Sequence, residues 1–155
     1  MSTTEDPIRR VLSSAASTTF RLNGQFLDLA ETLAGPVGLT AARWQVLGAV
    51  LTTPLPVAAI AREMGITRQS VQRTADLLVA QGLAEYRPNP AHRRSKLVAV
   101  TQAGSEAVAK IGPAHEIAAR RLCEEMGRKK FEDAVSALRR LSAALDRLDE
   151  AGERA

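Results

Sequence analysis

Polar side chains able to hydrogen-bond DNA bases lie along one face of the segment 67–78. Val71, Ala75 and Leu78 recur three or four residues apart and predict a helix face that docks on a core. Five residues on the opposite face, with Thr67 before them, form the candidate base-contacting set: Arg68, Gln69, Ser70, Gln72 and Arg73. Arginine can pair with guanine O6 and N7, and glutamine with adenine N6 and N7, in the major groove. An ordinary solvated helix face is the alternative, and this helix alone does not separate the two.

A second basic group lies at the tip of a predicted β-hairpin. Strand-forming runs at 83–87 and 97–100 flank a polar loop that begins with Pro88. Four further candidate contacts lie there: His92, Arg93, Arg94 and Lys96. Such a hairpin can reach along a duplex and place an arginine in a narrow minor groove, where the negative potential is strongest. A solubilising charged loop is the alternative.

The net positive charge of the chain is concentrated in this part of the sequence. Between Arg62 and Lys96 there are seven basic and three acidic residues, and this excess of four equals the formal net charge of +4 for all 155 residues. The rest of the chain is therefore balanced. Lysine and arginine confined to a helix pair and a hairpin would displace counterions from phosphates, so the two features together favour duplex DNA binding.

Two short helices must position the candidate base contacts. Val57–Met64 is predicted as a helix that Gly65 ends in a left-handed conformation. Thr67 is the predicted N-cap of the next helix, which runs to Gln81. The three-residue join at 65–67 is as short as a helix-turn-helix requires. A further helix is predicted after Thr40, through residues 44–51.

Long amphipathic helices are predicted at both ends of the chain. An apolar stripe with spacings of four and three runs through Ile8, Leu12, Ala15, Thr19, Leu22, Phe26, Leu29 and Leu33, and a similar one through Ala134, Leu138, Leu141, Leu145 and Leu148. Because such a narrow stripe has little to pack against in a short chain, we expect a homodimer in which the terminal helices interlock. Packing against the chain's own central part is the alternative. The helix after Thr101 should reach about residue 125 and be bent or split at Gly112-Pro113.

The segment 38–104 resembles the MarR family of winged-helix transcriptional regulators. Residues 60–71 look like its helix-turn-helix, 82–87 like the start of its wing, and 89–104 like the rest of the wing and the next helix start. The resemblance implies a mainly α fold with a small β wing: a winged helix-turn-helix core flanked by N- and C-terminal dimerisation helices, with a short extra strand before the third helix. We expect one MarR-like domain over 1–155, with dimerisation helices at 8–34 and 105–150 and a DNA-binding region at 39–104.

The resemblance also implies a function and a mode of regulation. It implies a homodimer that binds double-stranded DNA sequence-specifically at a pseudo-palindromic operator, as a repressor relieved by a small-molecule effector. Arg94 falls where the family's wing arginine contacts the minor groove. Clefts beside the terminal helices would bind the effector, with Phe20, Phe26, Trp44 and His115 as candidate lining residues, although such residues are more often core. The alternative from another class is a winged-helix protein-interaction adaptor without DNA binding, on which an apolar recognition face would be expected.

Three positions depart from the family pattern or leave a choice open. His92 stands where an aspartate usually braces the wing arginine, so Arg94 could be less ordered or the wing sensitive to pH, although a plain surface role for His92 is favoured. Val57 replaces a common helix-capping Ser or Thr. Cys123 could sense oxidants beside Arg120 and Arg121, but an inert cysteine is the commoner case.

Composition argues against several other classes of protein. Hydrophobic residues make up 45% of the chain and aromatic residues only 3%, so an aliphatic core is expected. No apolar run suits a membrane helix or a signal peptide, and a single cysteine fits a reducing compartment, so we expect a cytoplasmic protein. Neither metal-ligand spacing nor a phosphate-binding glycine loop occurs, and no catalytic constellation is positioned. We therefore expect no enzyme activity, no cofactor and no metal.

Overall fold

The computed structural model of the chain describes residues 6–153. Its elements are α1 (Pro7–Ala34), a 3-10 turn (Gly35–Val37), α2 (Ala41–Ala49), β1 (Leu55–Pro56), α3 (Val57–Met64), α4 (Arg68–Ala80), β2 (Ala84–Arg87), β3 (Leu97–Val100), α5 (Gln102–Met126) and α6 (Arg128–Glu153). The predicted mainly α fold with a small β wing is confirmed. The chain forms two compact units, one up to Gly112 and one from Pro113.

Local side-chain chemistry sets most helix N-termini in the first unit. Asp6 accepts a hydrogen bond from the Ile8 amide at 3.0 Å, and Pro7 occupies the first helical position of α1. Thr40 caps α2 by accepting from the Arg43 amide at 3.2 Å, as predicted. Helix α2 is shorter than expected, because Val50 is its C-cap and Leu51 lies beyond it. At φ −107° and ψ 9°, the backbone of Val50 has already left the helical conformation.

The wing is a three-stranded antiparallel sheet in the order β1-β3-β2. The central strand β3 pairs Val98 with Tyr86 on one side and with Leu55 on the other. The short strand β1 is the extra strand that the family resemblance implied. Val98 and Ala99 are consecutive buried residues of β3, and because they point to opposite faces of the sheet, both faces are covered there.

An aliphatic core lies where the helices of the first unit meet the sheet. Its fully buried members include Leu47 of α2, Ile60 of α3, Leu78 of α4 and Val98 of β3. The docking face predicted for α4 is confirmed, since Val71, Ala75 and Leu78 are all fully buried. Among the described residues, no polar or charged side chain is buried in this core. Apolar burial therefore fixes α4 and leaves its polar face outward.

The second unit contains the rest of α5 and all of α6. Gly127 adopts φ 83° between the two helices. Of the two outcomes expected at Gly112-Pro113, a split is wrong, because α5 is continuous from Gln102 to Met126 with Pro113 inside it, and a bend stays a prediction. Proline removes one amide donor, and the hydrogen bonds of the neighbouring turns maintain the helix.

Apolar side chains on both terminal helices are exposed in the single chain. Ile8 and Leu12 of α1 are 76% and 64% exposed, and Leu145 and Leu148 of α6 are 50% and 67% exposed. These residues belong to the two stripes expected to interlock in a dimer. In the part of the chain from 6 to 153, no helix combines the length and the apolar character needed to cross a membrane.

Candidate nucleic-acid interface

A tight turn joins α3 to α4 and fixes where α4, which we call the recognition helix, begins. Gly65 adopts φ 66°, a left-handed conformation that other residues rarely take, and closes α3. Two residues later, Thr67 Oγ1 accepts a hydrogen bond from the Ser70 amide at 3.1 Å and donates one to Ser70 Oγ at 2.9 Å. The predicted contacts Thr67 and Ser70 therefore build the N-terminus of α4. The free amides of that helix end favour a nearby phosphate.

A groove of about 850 Å³ lies between α4 and the wing. Six of the ten predicted DNA contacts line it: Arg68, Gln69, Gln72 and Arg73 from α4, and Arg94 and Lys96 from the wing. The core-facing residues of α4 are buried on its opposite side. The structure thus brings side chains suited to base edges and side chains suited to phosphates to one surface.

The other two wing residues in the predicted set lie apart from this groove. Arg93 lines a neighbouring depression of about 460 Å³ together with Pro88 and Asn89. His92 is exposed at the tip, where its amide donates to the Asn89 carbonyl at 3.1 Å. Asn89 also accepts from the Ala91 amide at 3.0 Å through Oδ1, so the start of the loop is an Asx turn.

Three arginines of the groove form no ion pair with neighbouring acids. Within residues 6–153, the side chains of Arg68, Arg73 and Arg94 make no ion pair or hydrogen bond. By contrast, Arg87 on the wing pairs with Glu85 at 2.7 Å. The unpaired guanidinium groups are free to bind phosphates or guanine, and Arg94 lacks the acidic brace that is usual in the family.

A hydrogen-bonded cluster in the groove contains Asp76 and Tyr86, which are not among the ten predicted DNA contacts. Gln72 Nε2 donates to Asp76 Oδ1 at 3.0 Å and to the Tyr86 hydroxyl at 2.8 Å, and Tyr86 in turn donates to Asp76. We call these three residues the Gln72 cluster. The spacing of four between Gln72 and Asp76 could have indicated their pairing, but Tyr86 belongs to β2 and carries no such signal. The cluster ties the wing to the recognition helix.

Electrostatics define the protonation state of the Gln72 cluster. The hydrogen bond from Tyr86, with that from Gln72, lowers the pKa of Asp76 below its usual value. Burial, followed by the hydrogen bond to Asp76, raises the pKa of Tyr86 to about 12. At neutral pH the carboxylate is therefore charged and the phenol is neutral. Lys96 Nζ lies 5.7 Å from the centroid of the Tyr86 ring, within cation–π range.

The effector candidates and the cysteine lie outside this groove. Phe20 and Phe26 of α1 are 76% and 48% exposed, and Trp44 packs against the core. His115 is exposed on the part of α5 in the second unit, and Cys123 is half-buried there with a free thiol. A pocket formed by the four effector candidates stays a prediction.

Helix-turn-helix, three-stranded sheet and basic hairpin together define the chain as a winged helix-turn-helix protein, the fold of many DNA-binding regulators. The model of the MarR family matches residues 37–95. The uncharacterized protein Rv2011c of Mycobacterium tuberculosis is 36% identical over 140 residues, which cover 90% of this chain and 95% of that protein. The chain belongs to the MarR family of transcription regulators.

Solved structures of MarR-type regulators show the same fold. Sco5413, a MarR family transcriptional regulator from Streptomyces coelicolor, is similar with a TM-score of 0.69 and 28% identity, and the match covers 88% of this chain and 96% of that one. The Staphylococcus aureus MepR–DNA complex has a TM-score of 0.71 at 17% identity, covering 84% of this chain and 97% of that one. At that identity the likeness concerns the fold alone.

Proposed function

We propose that this protein is a sequence-specific double-stranded DNA-binding regulator that acts as a homodimer on a pseudo-palindromic operator. The observation that carries the proposal is the groove between α4 and the wing. Side chains suited to contact bases, from α4, and cations without an ion pair, from the wing, line it together. The structural likeness to a regulator that was solved with DNA supports it. An adaptor without DNA binding would be expected to present apolar anchors there.

In the proposed complex, α4 enters the major groove and the wing reaches the adjacent minor groove. Arg68, Gln69, Gln72 and Arg73 lie in the N-terminal half of α4, the part that contacts base edges in helix-turn-helix proteins. Arg94 extends from the hairpin to the minor groove, and Lys96 binds phosphate. Two copies of α4 would occupy successive major grooves about 34 Å apart.

The proposed dimer uses the exposed stripes of the terminal helices. Ile8 and Leu12 on α1 and four leucines on α6, at coiled-coil spacing, are exposed in the isolated chain. Burying each such side chain would contribute roughly 1.5–3 kcal/mol before the entropy lost on association is subtracted. Interlocked helices from two copies would cover both stripes and set the spacing of the two recognition helices.

Regulation is the part of the proposal that depends most on family likeness. We propose repression of a target promoter in the cytoplasm, relieved by a small molecule that binds beside the terminal helices. Phe20, Phe26, Trp44 and His115 remain the candidate contacts for that molecule. A ligand that bound the DNA-free form more tightly than the operator-bound form would weaken operator affinity by the same coupling.

Duplex binding across a salt series tests the proposed function. A regulator that displaces counterions with Arg68, Arg73, Arg94 and Lys96 should lose affinity steeply as salt rises, with a slope of about −0.9 for each phosphate contacted. Arg94→Ala should weaken operator binding by about tenfold or more, while sedimentation still shows a dimer. Arg120→Ala, which removes the same charge from a residue paired with Glu116 at 2.6 Å, is the control and should bind normally. A salt-independent interaction, or equal losses in both variants, would refute the proposal.

A further inference from the structure

The orientation of the Gln72 carboxamide in the groove follows from the chemistry of its neighbour. The Asp76 carboxylate only accepts hydrogen bonds, and Tyr86 already donates its hydroxyl hydrogen to the same oxygen. A glutamine oxygen facing Asp76 would be repelled, so the nitrogen must lie there. The observed contacts of Nε2, at 3.0 Å to Asp76 and 2.8 Å to Tyr86, agree with this requirement.

This arrangement conflicts with the usual way in which glutamine recognises adenine. Bidentate recognition needs Oε1 to accept from adenine N6 and Nε2 to donate to adenine N7. In this protein the nitrogen is held by a charged acceptor and a phenol, and a hydrogen bond to a charged group is about twice as strong as a neutral one. Turning Nε2 toward N7 would leave Asp76 without one of its two donors.

We propose that Asp76 and Tyr86 are positioning residues that make Gln72 a one-atom acceptor, so that its carbonyl oxygen selects adenine or cytosine on the strand it faces. Adenine N6 and cytosine N4 are the two major-groove amino donors, whereas guanine and thymine present acceptors that would repel the oxygen. The inference rests on the proposed DNA-binding function. It predicts a degenerate operator position in which adenine and cytosine are nearly equivalent.

The first experiment locates that position with the full-length protein. Selection from a random duplex library is carried out for the wild type and for Gln72→Ala. The wild type should accept adenine and cytosine within about threefold of each other at one position in each half-site and disfavour guanine and thymine, by about tenfold. Gln72→Ala should lose this preference only. If Gln72→Ala keeps every wild-type preference, the inference is wrong.

The second experiment asks whether the wild-type side chain uses adenine N7. An operator with adenine at this position is compared with one that carries 7-deazaadenine, which lacks N7, and one that carries purine, which lacks the N6 amino group. Wild-type affinity should change less than twofold with 7-deazaadenine and fall about fivefold with purine. A several-fold loss with 7-deazaadenine would overturn the inference, and this measurement needs no variant protein.

The third experiment removes the hydrogen-bond partners of Gln72 Nε2. The double variant Asp76→Ala/Tyr86→Phe removes both partners of Nε2, so Gln72 becomes able to bind adenine through both atoms. Its preference for adenine over cytosine should rise about tenfold, and it should become sensitive to 7-deazaadenine. Glu85→Ala is the matched control, because it removes one negative charge from β2, the strand that carries Tyr86, without touching Gln72. It should keep the wild-type base preferences.

The outcomes separate this inference from the function on which it rests. If the wild type binds no duplex preferentially at low salt, the proposed function fails and the inference fails with it. If specific binding occurs but the double variant keeps the wild-type ratio of adenine to cytosine, only the inference fails. Because a purely structural tie would change stability or overall affinity, a change confined to one base position is the result that supports positioning.

Discussion

Gly104, near the start of α5, lies against the turn that follows the recognition helix. A Cβ atom added there would lie 2.0 Å from the Leu83 carbonyl oxygen and 2.9 Å from Val100 Cγ2. Ordinary contacts begin near 3.4 Å, so Gly104→Ala must move the backbone of α5 or of Leu83 by about 1.4 Å. The obstacle is main-chain oxygen, which cannot move aside as a flexible side chain could.

Such a displacement would break the hydrogen bonds that join α5 to the end of α4. Thr101 donates from its amide to the Leu83 oxygen at 3.1 Å and from Oγ1 to the Gly82 oxygen at 2.6 Å. Thr101 Oγ1 also caps α5 by accepting from the Gly104 amide at 3.1 Å. Losing three bonds of about 1 kcal/mol each, less the gain of about 1 kcal/mol from alanine in a helix, gives a net loss of about 2 kcal/mol.

Urea unfolding followed by the fluorescence of Trp44, the one tryptophan in the sequence, measures this loss in the first unit. The protomer concentration is held constant, because dimerisation would contribute to apparent stability. Gly48→Ala is the control, since an added Cβ there meets nothing within 4 Å, and it should stabilise by about 0.5–1 kcal/mol. If Gly104→Ala unfolds at the same urea concentration as Gly48→Ala or a higher one, the close approach at Leu83 is refuted.

Three further perturbations test the supports of the interface. Thr67→Ala should lower the free energy of unfolding by about 1 kcal/mol through loss of the α4 N-cap, while Thr67→Ser should restore it in the same urea titration. Glu31→Ala should cost about 1–2 kcal/mol, because Glu31 Oε1 accepts from the buried Ala41 amide at 2.9 Å, and an unchanged unfolding midpoint would contradict this contact. The stability difference between the wild type and Tyr86→Phe should be constant from about pH 5 to 9. It should shrink as pH falls through the lowered pKa of Asp76, and again as pH rises from 10 toward the Tyr86 pKa of about 12. If the stability difference between the wild type and Tyr86→Phe does not change with pH, the cluster does not act through these protonation states.

Local chemistry explains why the sequence predicted the end of α3 and the start of α4 so closely. A threonine cap bonds an amide three residues away, and Gly65 supplies a conformation that is decided within one turn of chain. The docked face of α4 also follows from spacing alone, since the residues three and four apart must share a side. These interactions do not depend on the rest of the fold, so Thr67 and Gly65 could be assigned without it.

The sequence alone does not predict contacts between distant segments of the chain. Tyr86 joins the Gln72 cluster only because the α4–β2 turn brings β2 against the helix, and 14 residues separate Tyr86 from Gln72. Strand β1 has two residues and gains its hydrogen bonds from β3, more than 40 positions later, so only the family resemblance indicated it. The DNA contacts themselves, the dimer and the effector cleft stay predictions.

In the proposed complex, the position of the wing relative to α4 determines whether Arg94 and the predicted base contacts on α4 can reach one duplex together. A freely moving hairpin would have to be ordered on binding, and the lost conformational entropy would weaken the contribution of Arg94. Tyr86 restricts that freedom through its hydrogen bond to Asp76, and Lys96 over the Tyr86 ring extends the restraint to the edge of β3. Without an acidic brace beside Arg94, the restraint on the wing acts at its strands, through Tyr86, and not at its tip. Tyr86 holds the amide of Gln72 and also ties the wing to α4, so in the proposed complex base selection and minor-groove contact would both depend on the same tyrosine.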